Sequence, residues 1–356
     1  MRFIILALLL TTASCSLTAK PTSPSASEVK QAIQNTLEQR LYQLPPRVQG
    51  HYGIRLFRMT GDDKYVNSAL VDLYAITEAQ SFYACSADDP NFIKAQAEAM
   101  TARLGNGPRA TARKAALTAH PQFLFYSDGL LRYASRIDEF GLVGPCHNTL
   151  TKAIKDYDMT QALTDPAMIK SWAAQLINYV YWSKQLGTGD YLEVYTKAFN
   201  QVYPDTLDGQ LDKSQFRNKL YGLTHFVFAA SGYYQRPIDA KEFGWILDYF
   251  SDNIERILTD ATDDIIAEVG VAFLLAGKGD NPVVQRAREH IIKSFDQNAQ
   301  FIPSISGRIE YASGEHRNVL AMMLLEWTEQ LHPGPMLAIE PASKFHLPKQ
   351  VRPKQE

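Results

Sequence analysis

The feature that most constrains this chain is an alternation of two kinds of helix. IIAEVGVAFLLAG (265–277), LINYVYW (176–182) and LTHFVFAASG (223–232) are apolar nearly all round, which a helix tolerates only when neighbours enclose it. Between them run amphipathic segments. In EFGWILDYFSDNIERIL, Phe243, Ile246, Leu247, Phe250, Ile254 and Leu258 form one stripe, and Asp248, Asp252 and Glu255 lie opposite, so the spacing predicts one continuous surface helix. DKYVNSALVDLYAITEA and NPVVQRAREHIIKSF repeat the pattern. Short turns such as RMTGDDKY, KQLGTGDY and LAGKGDNP join the two kinds. Glycine ends one helix there, and Asp or Asn caps the next. Alternating β-branched stretches are few, so the fold class is all-α.

The unit of enclosed helix, glycine turn and amphipathic helix repeats. Its period is read from polar residues placed near the starts of the enclosed helices: His51, Asp128, Asn178, His225, Glu268 and His316. The last four intervals are 50, 47, 43 and 48 residues, and the first, 77, leaves room for a loop-rich insertion around 85–118. Six hairpins over residues 28–332 follow, and a two-helix repeat of this length builds either an open solenoid or a closed ring. Enclosed inner helices favour the ring.

This pattern resembles the (α/α)6 toroid of six-hairpin glycoside hydrolases, polysaccharide lyases and several unrelated enzymes. The segments NKLYGLTH, DDIIAEVGVAFLLAG and GEHRNVLAMMLL resemble an uncharacterised family of exported proteins from marine gamma-proteobacteria. That family brings no activity and no residue roles, so function has to be argued from the site.

The N-terminus reads as export. Arg2 precedes FIILALLL (3–10) and then small residues; the apolar run is too short for a bilayer span, which needs roughly 20 residues. Residues 1–15 are read as a signal peptide. Cys15 follows Thr12-Ala13-Ser14 in a lipobox-like context, although Thr12 stands where that pattern prefers Leu. Cleavage after Ala13 is the alternative. Residues 16–27 read as a Pro/Ser tether and 333–356 as a Pro-rich tail. The expected location is the periplasm, either free or held at the outer membrane by lipid on Cys15. Cys85 and Cys146 remain as an even pair, either a disulfide or two buried thiols. With 46% hydrophobic residues and a formal charge of −2, the chain is globular and has no global basic excess for nucleic acid.

The candidate site starts from His225, set in the otherwise apolar and aromatic YGLTHFVFAASGYY. In a ring whose inner helices run the same way, their N-terminal ends converge on one mouth, where partial positive charge suits a polar or anionic ligand. His225 then falls in near-register with Glu268 and His316. Asp264 and Glu268, four residues apart, share a helix face as a candidate acid/base pair. The expected catalytic set is Glu268, Asp264, His225 and His316. The expected substrate-binding set is His51, Asp128, Asn178, Tyr181, Trp182, Asn218, Tyr221 and Arg317. Basic Arg103, Arg109, Arg113 and Lys114 flank LGNGPR and form either an anion contact or a solvated face.

The bland readings stand beside these. Helix starts are polar because caps need partners, a lone interior histidine is commonly hydrogen-bonded core, and aromatics at helical spacing usually pack. H-E-x-x-H, G-x-S-x-G, Walker and CxxC patterns are missing from the sequence. The leading expectation is an exported glycan hydrolase or lyase without a cofactor, acting on a small polar or anionic glycan-like ligand. A non-catalytic glycan- or peptide-binding lipoprotein is the second. A zinc-dependent hydrolase with His225, Glu268 and His316 as ligands is the third.

Overall fold

The structure, a computed structural model, describes residues 24–338 and 347–354. The signal segment, Cys15 and most of the tether lie outside the described residues. Sixteen α-helices follow: α1 (Ala26–Glu38), α2 (Pro46–Thr60), α3 (Val66–Ala84), α4 (Pro90–Ala102), α5 (Pro108–Leu117), α6 (Arg132–Asp138), α7 (His147–Asp156), α8 (Thr160–Thr164), α9 (Pro166–Gln185), α10 (Leu192–Val202), α11 (Lys213–Ala230), α12 (Gly244–Asp252), α13 (Ile254–Asp260), α14 (Asp263–Leu275), α15 (Pro282–Ser294) and α16 (Tyr311–Leu325). A π-helical turn, Phe125–Leu131, runs into α6. The one sheet among the described residues pairs β1 (Leu142–Val143) with β2 (Arg352–Pro353), antiparallel. The protein is all-α, as its periodicity predicts.

Caps set the starts of the inner helices. Asp165 accepts from Ala167 N with Pro166 in the first turn of α9, and Asp212 forms a capping box with Gln215 on α11; both satisfy amide donors that a helix start leaves unpaired. Gly61 and Gly277 end α2 and α14 at φ of +67°, a region glycine enters without Cβ strain. Every residue of α14 from Ile265 to Leu275 is buried, as an enclosed helix requires.

Several boundaries differ from the sequence reading. The stripe over 243–258 is two helices, because the chain breaks at Asn253, whose side-chain amide donates to the Tyr249 carbonyl; asparagine competes for backbone groups in this way. The insertion at 85–118 is helical, holding α4 and α5. The first helix begins at Ala26, inside the expected tether, since Ser25 and Glu28 form a capping box. The C-terminal segment is not a loose tail: Leu337 is buried with Ile54, Leu73 and Phe140, and β2 docks on β1.

Neighbour packing runs in a cycle. Helix α16 packs on α2 and α14, α14 on α11, α11 on α9, α9 on α6, and α6 on α3, which returns to α2. Helices α10 and α15 lie against α9 and α14. Cys85, at the end of α3, is disulfide-bonded to Cys146, at the start of α7, with Cα atoms 5.1 Å apart. No helix among the described residues is long and apolar enough to cross a membrane.

The α2–α3 contact depends on Gly50. A Cβ there would lie 2.3 Å from Asp72 Cβ, closer than atoms can pack. Gly50→Ala is therefore expected to lower stability by about 1–3 kcal/mol through overpacking, measured as a fall in the urea midpoint at unchanged m. An unchanged midpoint would show that α2 and α3 separate freely.

Candidate functional site

Three helices bring a buried carboxylate against two imidazoles. Glu268, on α14, has no solvent exposure. Its Oε2 accepts from Thr224 Oγ1 of α11 at 2.7 Å, while Oε1 is buried without a hydrogen-bond partner. That free oxygen faces His316 Nε2 of α16 at 3.4 Å and His225 Nε2 of α11 at 4.0 Å. The side chains of His316 and His225 are 38% and 16% exposed, so both rings reach solvent while the carboxylate does not. A buried carboxylate with an unused lone pair is costly unless something offers it a proton.

A chain of contacts leads away from it on one side. His316 Nδ1 lies 3.2 Å from His51 Nε2 on α2, and His51 Nδ1 lies 2.7 and 2.9 Å from the two oxygens of Glu315. Burial raises Glu315 to about 7, against the opposing charges of Arg55, His316 and Arg47. Burial, then Arg55 and His316, pushes His51 well below the ordinary imidazole value. Both groups are shifted toward their neutral forms, and a proton is shared across the contact between Glu315 and His51 Nδ1. His51 Nε2 and His316 Nδ1 share the next contact, and His316 Nε2 is the ring atom nearest Glu268 Oε1.

On the other side stands a tyrosine. Tyr233 OH donates to Asn178 Oδ1 at 2.6 Å, and His225 Nδ1 lies 3.2 Å from each. Burial lowers His225 to about 4, with Glu268 opposing and His316 and Arg55 assisting. His225 thus sits between two groups, with Nδ1 at the Tyr233–Asn178 pair and Nε2 toward Glu268. Tyr233 and Tyr234 both have positive φ, +56° and +75°, which bulky residues adopt only when the surroundings impose it. The restraint is Arg58 of α2, 1% exposed, whose Nη1 donates to the carbonyls of Gly232 and Tyr233. Its Nε donates to the Gly334 carbonyl and its Nη2 to Glu139.

His51, Asn178, His225, Glu268 and His316 therefore converge, as the sequence reading expects. They do not all lie near helix starts: His225 and Asn178 sit past the midpoints of α11 and α9, because those helices begin earlier than their apolar stretches suggest. Asp264, one turn before Glu268, is bound by Tyr221 OH. Burial works to raise it, but His316, hydrogen bonds from Thr262 and Tyr221, and Arg317 together hold it below the usual carboxylate range. Asp128 sits in the π-helical turn, accepting from Tyr179 OH at 2.7 Å with Arg132 Nε at 3.7 Å; such turns recur at functional sites.

The other candidates have structural partners. Asn218 donates to the Ile169 carbonyl and to Tyr203 OH, and Arg317 to the Ile302 carbonyl. Tyr181 and Trp182 pack against the apolar core. Arg113 lies over the Trp172 ring at 4.2 Å and Arg109 over Tyr221 at 5.8 Å. Among the described residues no group of three or more His, Cys, Asp or Glu is arranged to hold a metal. Glu315, Thr224, Tyr233, Arg55 and Arg58 are the residues sequence reasoning missed. The signals present were Glu315 beside His316 and the four-residue spacing of His51 and Arg55. A separate cavity of about 250 Å³, lined by Asp138, His147, Gln185, Arg352 and Lys354 among others, lies beside the β1–β2 pair away from these histidines. Its Lys354 is already paired with Asp138.

Opposed shifts predict a bent pH profile. Between pH 4.5 and 6.5 the unfolded chain carries deprotonated Glu315 and protonated His51 and His225, whereas the folded chain carries the reverse. Folding there takes up one proton and releases two. Stability from these groups therefore rises with pH, by at most about 1.4 kcal/mol per unit for one net proton. Above 6.5 the histidines match in both states and Glu315 alone remains, so its contribution falls as pH rises through about 7. In Glu315→Gln the rise should steepen and the fall vanish, read by urea unfolding across this window. A profile identical to wild type would mean Glu315 titrates normally.

The fold and site together define an all-α protein built around an enclosed carboxylate and histidine network whose imidazoles reach solvent. The chain belongs to the family described as Domain of unknown function (DUF3541), whose model matches residues 26–354. No curated protein and no solved structure matches it.

Proposed function

We propose that this protein is an exported glycan-cleaving enzyme that works by general acid–base catalysis, with eliminative cleavage favoured over hydrolysis. The observation that carries the reading is the unpaired, buried Oε1 of Glu268 facing the Nε2 atoms of both His225 and His316. A carboxylate behind two imidazoles orients both rings and supports the charge that either gains during proton transfer, the logic by which a buried carboxylate supports a catalytic histidine.

Hydrolysis of a glycoside needs two carboxyl groups reaching the sugar from opposite sides. Glu268 is sealed and Asp264 is held by Tyr221, so neither suits that role. Elimination needs a base and an acid instead. The base, the Tyr233–His225 pair, removes the proton from the ring carbon bearing a carboxyl group. That C–H electron pair becomes a double bond as the neighbouring C–O glycosidic bond breaks, and the leaving oxygen takes a proton from His316, resupplied along His51 and Glu315. Catalytic contacts that are long in an empty site tighten around substrate.

The cyclic order of helix packing supports an (α/α)6 toroid as the architecture, and the Cys85–Cys146 disulfide supports an oxidising compartment and hence the periplasm. The test is product analysis on a panel of polysaccharides. Unsaturated, ultraviolet-absorbing ends on new chains support elimination. New reducing ends without unsaturation would turn the reading to hydrolysis, and binding without either product would make it a glycan-binding protein.

A further inference from the structure

Two arginines one turn apart on α2 are buried in opposite circumstances. Arg58 has carbonyl or carboxylate partners on Nε and on both terminal nitrogens. Arg55 is 7% exposed, and its hydrogen-bond partners are neutral: the His51 carbonyl of its own helix, 3.3 Å from Nη1, and the Tyr234 side chain. Its Nε is buried with no partner. The Tyr234 ring centroid lies 5.5 Å from Cζ, and no carboxylate oxygen of the described residues comes within ion-pair distance of the guanidinium. A buried guanidinium without an anion is strongly unfavourable.

The same charge sits at the centre of the site. Burial is the largest influence on each group around it, lowering His51 and His225 and raising Tyr233, Tyr234 and Glu315; the charge of Arg55 adds to the lowering of the two histidines and opposes the raising of the other three. It lies four residues from His51, hence on the same face of α2. A planar guanidinium with an unpaired Nε–H and no anion beside it is matched by a planar oxyanion that takes two hydrogen bonds at once.

We infer that Arg55 receives the carboxylate of a hexuronate residue, so that the site selects acidic over neutral glycans. The inference rests on the glycan-cleaving reading and names its substrate class. Held there, the carboxyl group is the one whose neighbouring carbon loses its proton, and the guanidinium balances the negative charge that grows on it.

The test is calorimetric titration of the oxidised mature chain with trisaccharides of the common hexuronates, with their methyl esters, which keep the ring and remove the charge, and with a sulfated neutral trisaccharide. Wild type should bind at least one free acid, and its ester roughly 10- to 100-fold more weakly. Arg55→Gln should lose a similar factor for the acid and nothing for the ester, whereas Arg55→Lys should keep part of the preference. The melting temperature of Arg55→Gln without ligand should be unchanged or higher, since an uncompensated charge is removed. Equal binding of acid and ester, binding of none of the panel, tighter binding of the sulfated chain, or a collapse of melting temperature would each overturn the assignment. Cleavage of a neutral glycan would overturn it while leaving the enzyme reading intact. Acid-selective, Arg55-dependent binding with no product from any polysaccharide would do the opposite.

Discussion

Arg58→Met is expected to cost about 3–5 kcal/mol, the range for removing one partner of a buried ion pair. Glu139 would be left 8% exposed with no cation, and the carbonyls of Tyr233 and Gly334 would lose their donor, while that of Gly232 would keep only Gln235 Nε2. Urea unfolding should show the midpoint falling with m unchanged. Adding Glu139→Gln should recover part of the loss, because two neutral groups no longer leave a charge stranded. A loss under about 1 kcal/mol, the size of a surface ion pair, would show that solvent replaces these bonds. The variant should also weaken activity beyond its effect on stability, since Arg58 fixes the positive-φ turn that presents Tyr233.

Tyr233→Phe is expected to lower kcat by roughly 10²–10⁴, the usual worth of a positioned proton carrier. It removes only a hydroxyl that bonds Asn178 and His225, so the stability cost should stay near 0.5–1.5 kcal/mol. His225→Ala should lower kcat by a comparable factor, and the double variant should be little worse than either single one, because groups acting as a unit are not additive. Full activity in Tyr233→Phe would move the base elsewhere.

The helical alternation was legible because burial leaves few polar residues in α14 after Asp264 and in the second half of α11, and period and cap chemistry are local. Glu268, His225 and His316 were legible because a polar residue inside an apolar run has to be satisfied by something. The break at Asn253 was not, because the apolar stripe continues across it. Asp264 looked equivalent to Glu268 at four-residue spacing; only tertiary packing delivers Tyr221 to one and two imidazoles to the other. Tyr233 hides in a turn whose positive φ depends on Arg58, more than 170 residues earlier in the chain. Arg55 and Arg58 read alike in GIRLFRM, and only the partners that α2 meets separate a staple from an unpaired cation.

The central claim is that Glu268 backs the two imidazoles. It is tested most directly by Glu268→Gln, which keeps the shape and the Thr224 contact and removes the charge. Binding of a uronate trisaccharide and single-turnover cleavage would be measured on the same preparation. The account predicts affinity within a few-fold of wild type, a melting temperature no lower, and a cleavage rate down by at least about 10². Wild-type cleavage by Glu268→Gln would contradict the account, and so would a variant that fails through loss of binding or folding while its bound substrate still turns over normally.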